Sequence, residues 1–396
     1  MSGPLLITFG SARQAESLVN AYQGHAEHLH IDDRSLLKDK EQAAKIVTAA
    51  CQGATATQWV NLGRASVPGA VHAIAEVWQT AASRIQSHTE IRRFGPSASA
   101  AATFDDKWLT YAASQAAGVP TVPSISTTPR ELMMSGRGPT VAKLKDRTGG
   151  VGVYAAHSAS SAARAISRIA GMDGPIIACD FVHGLEASIK VLVGGSVRPV
   201  ALVVKEATRI PVVHGDWKTK VAIPLRQDSP LFTIAEQIVR QTGTQGFLSI
   251  EGIVTPAGKF LVSEIASRRT GSFAIADAVS ACGPASTAIR EILGEAKRSG
   301  IWMPGIAVTF AVGQPRSLSP AEMENSIGVD IEHLSELPDS EDDRSRMRMH
   351  FAPIEGEAEF VFWENLTPIV GVGEIAKAQR LVRSAHFIQK GMPYEL

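Results

Sequence analysis

The stretch from Phe247 to Ile265 reads FLSIEGIVTPAGKFLVSEI, two apolar runs separated by a Pro/Gly-containing turn. Apolar runs of strand length joined in this way predict a β-hairpin. If Ala257-Gly258 is a two-residue turn, the strands pair so that Glu251 lies directly opposite Glu264. The hairpin therefore predicts two carboxylates side by side on one face of a sheet.

Two carboxylates at this spacing repel each other, because the Cβ atoms of cross-strand neighbours are roughly 4.5–5.5 Å apart. A divalent cation between them would turn the repulsion into binding. Magnesium fits best, since it commonly takes one or two carboxylates and completes its octahedron with phosphates and water. On the hairpin alone, two solvated glutamates on an edge hairpin and a different register both remain open.

Arg268 follows the second carboxylate by four residues. Its guanidinium is a permanently charged fork, which could reach a phosphate or a developing oxyanion from there. Adjacent arginines such as Arg268-Arg269 are also common on protein surfaces, so the spacing is weak evidence when taken alone.

A glycine-rich loop follows a predicted strand that ends in Lys143-Leu144 and contains Gly149, Gly150 and Gly152. Glycines let backbone N–H groups approach an anion, and a lysine leaving the strand supplies a point charge for phosphate. The loop lacks the Gly-Lys-Ser/Thr ending of a Walker A motif and is not Gly-x-Gly-x-x-Gly. Phosphate binding and a plain flexible turn are both open for this loop by itself.

Composition places the chain among ordinary globular proteins. Lys plus Arg and Asp plus Glu both number 39, which argues against a general nucleic-acid or membrane-surface role. The three cysteines are far apart, so a disulfide framework and a cysteine-based zinc site are disfavoured and a cytoplasmic location is expected. No apolar run approaches about 18 residues, so no membrane span is expected.

The N-terminal hundred residues alternate strand-like and helical segments, which predicts a parallel α/β layer. Strands are expected at Leu5–Phe9, up to Ile31-Asp33, and at Gln58–Leu62, with a helix through residues 15–19. Farther along, patterning predicts helices and strands interrupted by an exposed charged loop. These are helices Asp105–Ala117, Thr233–Thr242 and Glu374–Ala385; strands Pro139–Leu144, Ala187–Val193, Val197–Val204 and Glu357–Trp363; and a loop at Pro338–Arg346.

The order of these pieces resembles that of the ATP-grasp superfamily over roughly residues 93 to 282. Five segments occur in the expected order, and together they are much more specific than any one of them. They are Gly95-Pro96-Ser97 with Asp106-Lys107 and Ala117–Pro120; Thr140–Lys143 with the glycine loop; the hinge-like Ile176–Glu186; the Glu251/Glu264 hairpin; and Arg268.

The resemblance implies a role for each matching residue. Lys107 and Lys143 would bind nucleotide phosphates beneath a lid formed by the glycine loop, and the backbone of Asp180, Phe181 and Val182 would read adenine. Lys143 and Arg268 would act in catalysis. Glu186 matches the hinge acid, and Glu251 and Glu264 match the two metal carboxylates.

The resemblance also implies a mixed α/β and α+β architecture. A Rossmann-like pre-ATP-grasp domain would span residues 1–100 and an ATP-grasp domain 101–290, with a small lid subdomain at about 120–178. Residues 291–396 would form a C-terminal lobe that completes the substrate side.

The implied activity is ATP-dependent joining of a carboxylate to an amine through an acyl-phosphate. ATP and Mg²⁺, with Mn²⁺ as an alternative, would be the cofactors, and the substrates would be small molecules such as amino acids or a natural-product precursor. Nucleic-acid and membrane partners are not expected. A homodimer is possible on the general ground that dimers are common among symmetric soluble enzymes. A bicarbonate-using carboxylase or purine-pathway enzyme and a catalytically silent nucleotide-binding regulator are the alternatives.

Two positions depart from the family pattern. The family segment after the second carboxylate usually reads Glu-Ile-Asn-Pro-Arg, but this chain has Ala266 in place of the Asn. An alanine cannot ligate a metal, so either one metal site is weaker or Ser267 or a water compensates. Cys179 stands where an acidic residue is frequent at the hinge.

Overall fold

The computed structural model describes residues 5–10, 27–32, 38–52, 54, 56–62, 70–85, 90–147, 152–207, 219–270, 272–279, 305–311, 347–353 and 372–394. Within these ranges the strands form three sheets. The described residues contain no helix that is both long enough and apolar enough to cross a membrane.

The first sheet is four-stranded and parallel, as the alternating N-terminal pattern predicts. Its strand order is β2-β1-β3-β4. The strands are β1 (Leu5–Gly10), β2 (Glu27–Asp32), β3 (Ala56–Leu62) and β4 (Glu90–Phe94). Apolar side chains on one of its faces pack against helices α1 (Lys40–Cys51) and α2 (Ala70–Ala82), with Trp59 stacked on Trp78 in that core.

The predicted helix from Asp105 to Ala117 is two helices. α3 (Ala98–Asp105) ends where the prediction begins, and α4 (Lys107–Ala116) follows after the single residue Asp106. The Asp106 carboxylate accepts hydrogen bonds from the backbone N–H groups at the start of α4 and so caps it. This cap fixes where Lys107 leaves the chain.

The second sheet is four-stranded and antiparallel, with the order β5-β8-β6-β7. Its strands are β5 (Ser124–Thr127), β6 (Thr140–Leu144), β7 (Val153–Ala156) and β8 (Ile176–Asp180). Helix α5 (Pro129–Met134) and helix α6 (Ala159–Ala170) pack against this sheet around Leu132, Ala142 and Ile166.

The third sheet is seven-stranded and antiparallel, with the order β13-β12-β9-β10-β11-β14-β15. Its strands are β9 (Leu185–Val193), β10 (Val197–Ala207), β11 (Lys220–Pro224), β12 (Gly246–Val254), β13 (Phe260–Ala266), β14 (Gly305–Ala311) and β15 (Met347–Pro353). The predicted hairpin around 256–258 lies in this sheet, and so do the strands predicted at Ala187–Val193 and Val197–Val204, which pair with each other as β9 and β10.

One face of the seven-stranded sheet is covered by two long helices, and a short helix, α8 (Phe273–Val279), also packs on the sheet. The long helices are α7 (Pro230–Thr242) and α9 (Val372–Gln389). α7 begins three residues before its prediction because Ser229 caps it and Pro230 suits its first turn. Alternate residues of β9, such as Ile189 and Val191, join this core, so the residues between them lie on the opposite face.

Several predicted elements lie outside the described residues. These are the helix through 15–19, the loop at 338–346 and the strand at 357–363. Gly149 and Gly150 of the glycine loop also lie outside them.

Candidate active site

The polar face of the seven-stranded sheet carries a group of charged and hydroxyl side chains from four neighbouring strands. Strand alternation places them together because residues two apart point to the same side. They are Glu186, Ser188 and Lys190 on β9, Lys205 on β10, Ser249 and Glu251 on β12, and Glu264 on β13.

The predicted pairing of Glu251 with Glu264 is confirmed, but the predicted two-residue turn is wrong. Val254 pairs with Phe260, which leaves a longer turn in which Gly258 adopts a positive φ of 82°. That turn alone would bring Glu251 opposite Ser263. A β-bulge at Ser263 adds one unpaired residue and restores the pairing of the two glutamates.

Position 252, beside the bulge, requires a glycine because atoms of β13 approach its backbone closely. A Cβ there would lie 2.4 Å from the carbonyl oxygen of Leu261 and 2.7 Å from the ring of Phe260. No side chain fits at these distances without moving β13 away from β12. The bulge geometry therefore depends on this one glycine.

The two glutamates are partly exposed and each is close to an ammonium group. Lys190 Nζ lies 3.9 Å from Oε1 of Glu251, and Lys205 Nζ lies 3.9 Å from Oε2 of the same carboxylate. Lys107 Nζ lies 3.7 Å from Oε1 of Glu264. Lys205, with a smaller effect from Lys190, lowers the pKa of Glu251 from its usual range to about 2, against the opposing effect of burial. Glu251 is therefore ionised throughout the physiological range.

Lys190 and Lys205 were not identified from the sequence. Lys190 sits in the apolar run Ile189-Lys190-Val191-Leu192 and has no exposed surface. Its ammonium donates to the hydroxyl of Ser249 and, over 2.9 Å, to that of Thr270. Burial lowers the pKa of Lys190 to about 7, and Glu251 opposes this shift. The signal available in the sequence was a charged residue within an otherwise apolar strand, whose burial requires polar partners.

Lys107 connects Glu264 to the glycine loop. It is the first residue of α4, is almost completely buried, and donates a hydrogen bond to the backbone carbonyl of Arg147 just before Gly149. Lys143, on β6, lines the same small cavity as Lys107, together with Tyr111 and Cys179. The structure thus brings the two predicted phosphate lysines to one cavity.

Gly152 closes the glycine loop against β6. It has a φ of 70°, a conformation that L side chains rarely adopt, and its carbonyl accepts a hydrogen bond from the N–H of Leu144. A Cβ on Gly152 would lie 2.4 Å from the Leu144 side chain. The fold therefore requires glycine at position 152, independently of the predicted contact between the loop and phosphate.

The hinge segment lies where β8 ends at Asp180. The backbone N–H groups of Asp180 and Phe181 donate to the carbonyls of Pro123 and Pro139, so these two donors are not available to a base. Val182 packs in a small apolar cluster that includes Cys179. Cys179 is buried, and its sulfur accepts a hydrogen bond from Ser124 Oγ at 3.2 Å.

Glu186, the predicted hinge acid, pairs with Lys205 on the polar face. Its Oε2 lies 3.9 Å from Lys205 Nζ, so Lys205 bridges Glu186 and Glu251. Glu251, with additional help from Glu186, raises the pKa of Lys205. The structure thereby joins two of the predicted acids through a lysine that was not predicted.

Arg268 and Ser267 follow directly after β13 and are both buried. Neither the Ser267 hydroxyl nor one terminal nitrogen of Arg268 hydrogen-bonds to any described residue. Buried polar groups are rarely left in this state unless water or a ligand satisfies them. Burial raises the pKa of nearby Asp105, and the positive charge of Arg268 offsets part of that shift.

The acid pair can hold a divalent cation only with help from a ligand or water. No cluster of three or more His, Cys, Asp or Glu side chains able to hold a metal occurs in the described part of the chain. Ala266, two residues after Glu264, contributes no oxygen from its side chain. Two carboxylates supplemented by phosphate and water oxygens match the usual coordination of Mg²⁺.

No protein-family model matches the sequence, and the comparison with curated proteins finds no match. Solved structures do match. L-amino acid ligase from Bacillus licheniformis has a TM-score of 0.62 at 15% identity, over 92% of this chain and 96% of that one. N5-carboxyaminoimidazole synthetase from Staphylococcus aureus, complexed with ADP, has a TM-score of 0.62 at 13% identity, over 92% and 96%.

Biotin carboxylase from Campylobacter jejuni, in a beta-gamma-ATP complex, has a TM-score of 0.51 at 16% identity, over 80% of this chain and 78% of that one. These likenesses show the fold. The chain has the ATP-grasp fold, as its motif order predicts.

Proposed function

We propose that this protein is an ATP-dependent ligase that joins a carboxylate to an amine through an acyl-phosphate and releases ADP and phosphate. The observation that carries the proposal is the pair Glu251 and Glu264, held opposite each other on a polar sheet face beside Lys107, with Arg268 near enough to lower the pKa of Glu251. Such an arrangement suits a reaction in which a triphosphate is bound, transfers its γ-phosphoryl group and leaves as a diphosphate.

ATP would lie between the second sheet and the polar face of the seven-stranded sheet. Lys107 and Lys143 line one cavity there, and both side chains are suited to phosphate oxygens. Adenine would lie at the hinge, where Val182 and the carbonyl groups of Asp180 and Phe181 would be its contacts. The glycine loop, whose last residue Gly152 is anchored to β6, would cover the phosphates.

The residues at the acid pair fit a divalent cation, since both carboxylates are partly exposed on the same face. A Mg²⁺ ion bound by Glu251 and Glu264 would neutralise charge on the phosphates during transfer. Lys107, which contacts both Glu264 and the loop carbonyl of Arg147, would fix the phosphates relative to that pair.

Arg268 would act in the second half of the reaction. When an amine attacks the acyl-phosphate, negative charge develops on the carbonyl oxygen. Arg268 is buried, has one terminal nitrogen with no hydrogen-bond partner among the described residues, and is close enough to Glu251 to lower its pKa, so it is suited to stabilise that oxygen. The products are an amide, ADP and phosphate.

A bicarbonate-dependent reaction is the second candidate. The likeness to N5-carboxyaminoimidazole synthetase from Staphylococcus aureus has the same TM-score, 0.62, as the likeness to the L-amino acid ligase. In that case the γ-phosphoryl group would go to bicarbonate instead of an organic acid.

The boundaries of the three parts, 1–100, 101–290 and 291–396, are proposed on the same resemblance.

The test is release of ADP and phosphate from Mg-ATP, with a mixed amino-acid pool in one arm and bicarbonate in the other. Mass spectrometry of the same reactions searches for a new product. ADP together with a mass equal to two pool members minus water supports the amide ligase and identifies its substrates. ADP that requires bicarbonate favours the second candidate. Nucleotide binding without ADP in either arm contradicts both and favours a silent regulator.

A further inference from the structure

Glu251 differs from Glu264 in the number of cations around it. Both of its carboxylate oxygens face an ammonium, Lys190 at 3.9 Å from one and Lys205 at 3.9 Å from the other. Among the described residues, Glu264 has one ammonium group within 4 Å, that of Lys107 at 3.7 Å. Of the two proposed metal carboxylates, Glu251 therefore already has its negative charge compensated by the chain itself.

Lys190 is held in place more firmly than a surface lysine. It has no exposed surface, and its ammonium donates to the hydroxyls of Ser249 on β12 and Thr270 after β13. The ammonium also lies 5.3 Å from the centre of the Phe273 ring, within the range of a cation–π contact. Contacts from three separate segments keep this charge beside Glu251.

The surroundings offer oxygen ligands for one divalent cation rather than two. Two-metal sites hold both ions about 3.5–4 Å apart and share carboxylates between them. Here Ala266 supplies no side-chain oxygen on the strand that carries Glu264. A second ion bound to Glu251 alone would not have the charge of Glu264 to offset the ammonium groups of Lys190 and Lys205, which lie 3.9 Å from the two oxygens of Glu251. Like charges in a partly buried site repel strongly.

We propose that Lys190 is a positioning residue whose fixed ammonium takes the place of a second divalent cation at Glu251. The nucleotide-loaded protein then holds one divalent cation, shared by Glu251 and Glu264. This inference rests on the proposed function, since it concerns the site that would bind Mg-ATP. A ligase of this kind could hold one or two divalent cations, and Lys190 decides between them.

The experiment titrates Mn²⁺ into the full chain at pH 6.5, where Lys190, with its pKa of about 7, carries its proton in most molecules, and measures free Mn²⁺ by electron paramagnetic resonance in the presence of saturating AMP-PNP. Free Mn·AMP-PNP is accounted for by a parallel titration without protein. One protein-bound Mn²⁺ per chain is expected for the wild type. Two would overturn the inference and leave the ligase proposal intact.

Lys190→Met removes the charge but keeps an unbranched side chain of similar length, so it frees Glu251 for a second ion. We expect two Mn²⁺ per chain in this variant, and in the Lys190→Met/Ala266→Asn double variant, which adds an amide oxygen. The matched control is Lys259→Met on the exposed hairpin turn. This variant should still bind one Mn²⁺ per chain.

A folded Lys190→Met variant that still binds one Mn²⁺ would overturn the role given to Lys190. If Lys190→Met does not fold, the wild-type stoichiometry still decides whether the site holds one ion or two. Failure of the wild type to bind AMP-PNP at all would refute the proposed function, a different result from any change in stoichiometry.

Discussion

At the scale of single residues, the candidate site is a balance of charges on a sheet face. Glu186, Glu251 and Glu264 supply the negative charges, and Lys107, Lys190 and Lys205 supply ammonium groups within 4 Å of them. Because a charge taken out of water must be compensated by partners, each group here depends on the others. Single substitutions should therefore change both function and stability in ways that can be separated.

Replacing Glu264 tests its assignment as a metal carboxylate. Glu264→Gln keeps the size and hydrogen-bonding capacity of the side chain but removes the charge facing Lys107. We expect ADP formation to fall by at least about 100-fold, the scale on which loss of one electrostatic group in a transition-state site is usually felt. The unfolding midpoint in urea should fall only modestly, because the buried Lys107 loses one charged neighbour but keeps its hydrogen bond to the Arg147 carbonyl.

The matched control is Glu236→Gln on the exposed side of α7, which should retain wild-type ADP formation. Full activity of Glu264→Gln, measured by a coupled ADP assay, would show that this carboxylate holds no essential cation.

Glu251 should make the stability of the protein depend on acid pH. Its pKa in the folded protein is about 2, below the 4.5 of an unperturbed glutamate, so the unfolded chain binds the proton more tightly. The stabilisation is complete above about pH 4.5 and is lost as pH falls toward 2. The full shift corresponds to about 3 kcal/mol, which we reduce to about 2 kcal/mol because the side chain is one-third exposed.

Denaturant unfolding of the wild type and of Glu251→Gln should show this difference directly. We expect the stability advantage of the wild type to shrink by about 1–2 kcal/mol between pH 6 and pH 3. An advantage that stays constant over this range would mean that Lys190 and Lys205 do not hold the carboxylate in its ionised form.

At the scale of elements, the β12–β13 hairpin decides whether the two glutamates meet. Alternation and turn residues predict the hairpin and the pairing of Glu251 with Glu264 correctly, yet the path differs from the prediction. A longer turn shifts the register by one residue, and the bulge at Ser263 shifts it back. A bulge of this kind depends on how β13 packs over Gly252, which local sequence patterns do not encode.

Gly252→Ala tests this dependence. The added methyl group would overlap the Leu261 carbonyl and the Phe260 ring, so β13 must move away from β12. We expect a loss of about 1–3 kcal/mol in the free energy of unfolding, typical of overpacking, together with loss of most ADP formation.

Gly195→Ala is the matched control, because a Cβ at this turn between β9 and β10 would have no atom within 4 Å. Circular dichroism in urea and the ADP assay measure both effects. If Gly252→Ala kept wild-type activity, the precise pairing of the glutamates would not matter to the reaction.

The part of the site that could not be predicted is the part built by distant contacts. The sequence contains the acid pair, the two cavity lysines and the glycine loop in recognisable local patterns. Lys190 has no such pattern, because its hydrogen-bonding partners Ser249 and Thr270 are 59 and 80 residues away. A lysine in an apolar strand becomes interpretable only when the neighbouring strands are in place.

At the scale of the whole molecule, the C-terminal segment is tied to the strands that carry the site. Tyr394 follows α9, and its hydroxyl donates to the carbonyl of Val254 at 2.5 Å and accepts from the N–H of Leu185 at 2.9 Å. Val254 ends β12 and Leu185 begins β9, so one side chain joins the strands that bear Glu251 and Lys190. The last described residues thus stabilise the sheet without entering the polar face.

Tyr394→Phe removes both hydrogen bonds while it keeps the ring in the core. The Leu185 N–H and the Val254 carbonyl are buried, so each loses its partner without access to water. We expect the free energy of unfolding to fall by about 1–3 kcal/mol. ADP formation well below the unfolding temperature should be nearly unchanged, because none of the charged groups is touched.

The control is Tyr154→Phe, since the Tyr154 hydroxyl on β7 bonds to no described residue; this change should stay within about 0.5 kcal/mol of the wild type. Loss of activity in a stably folded Tyr394→Phe protein would contradict the expectation that this hydroxyl affects stability and not ADP formation. It would mean that the C-terminal segment sets the geometry of the polar face in addition to holding the sheet together.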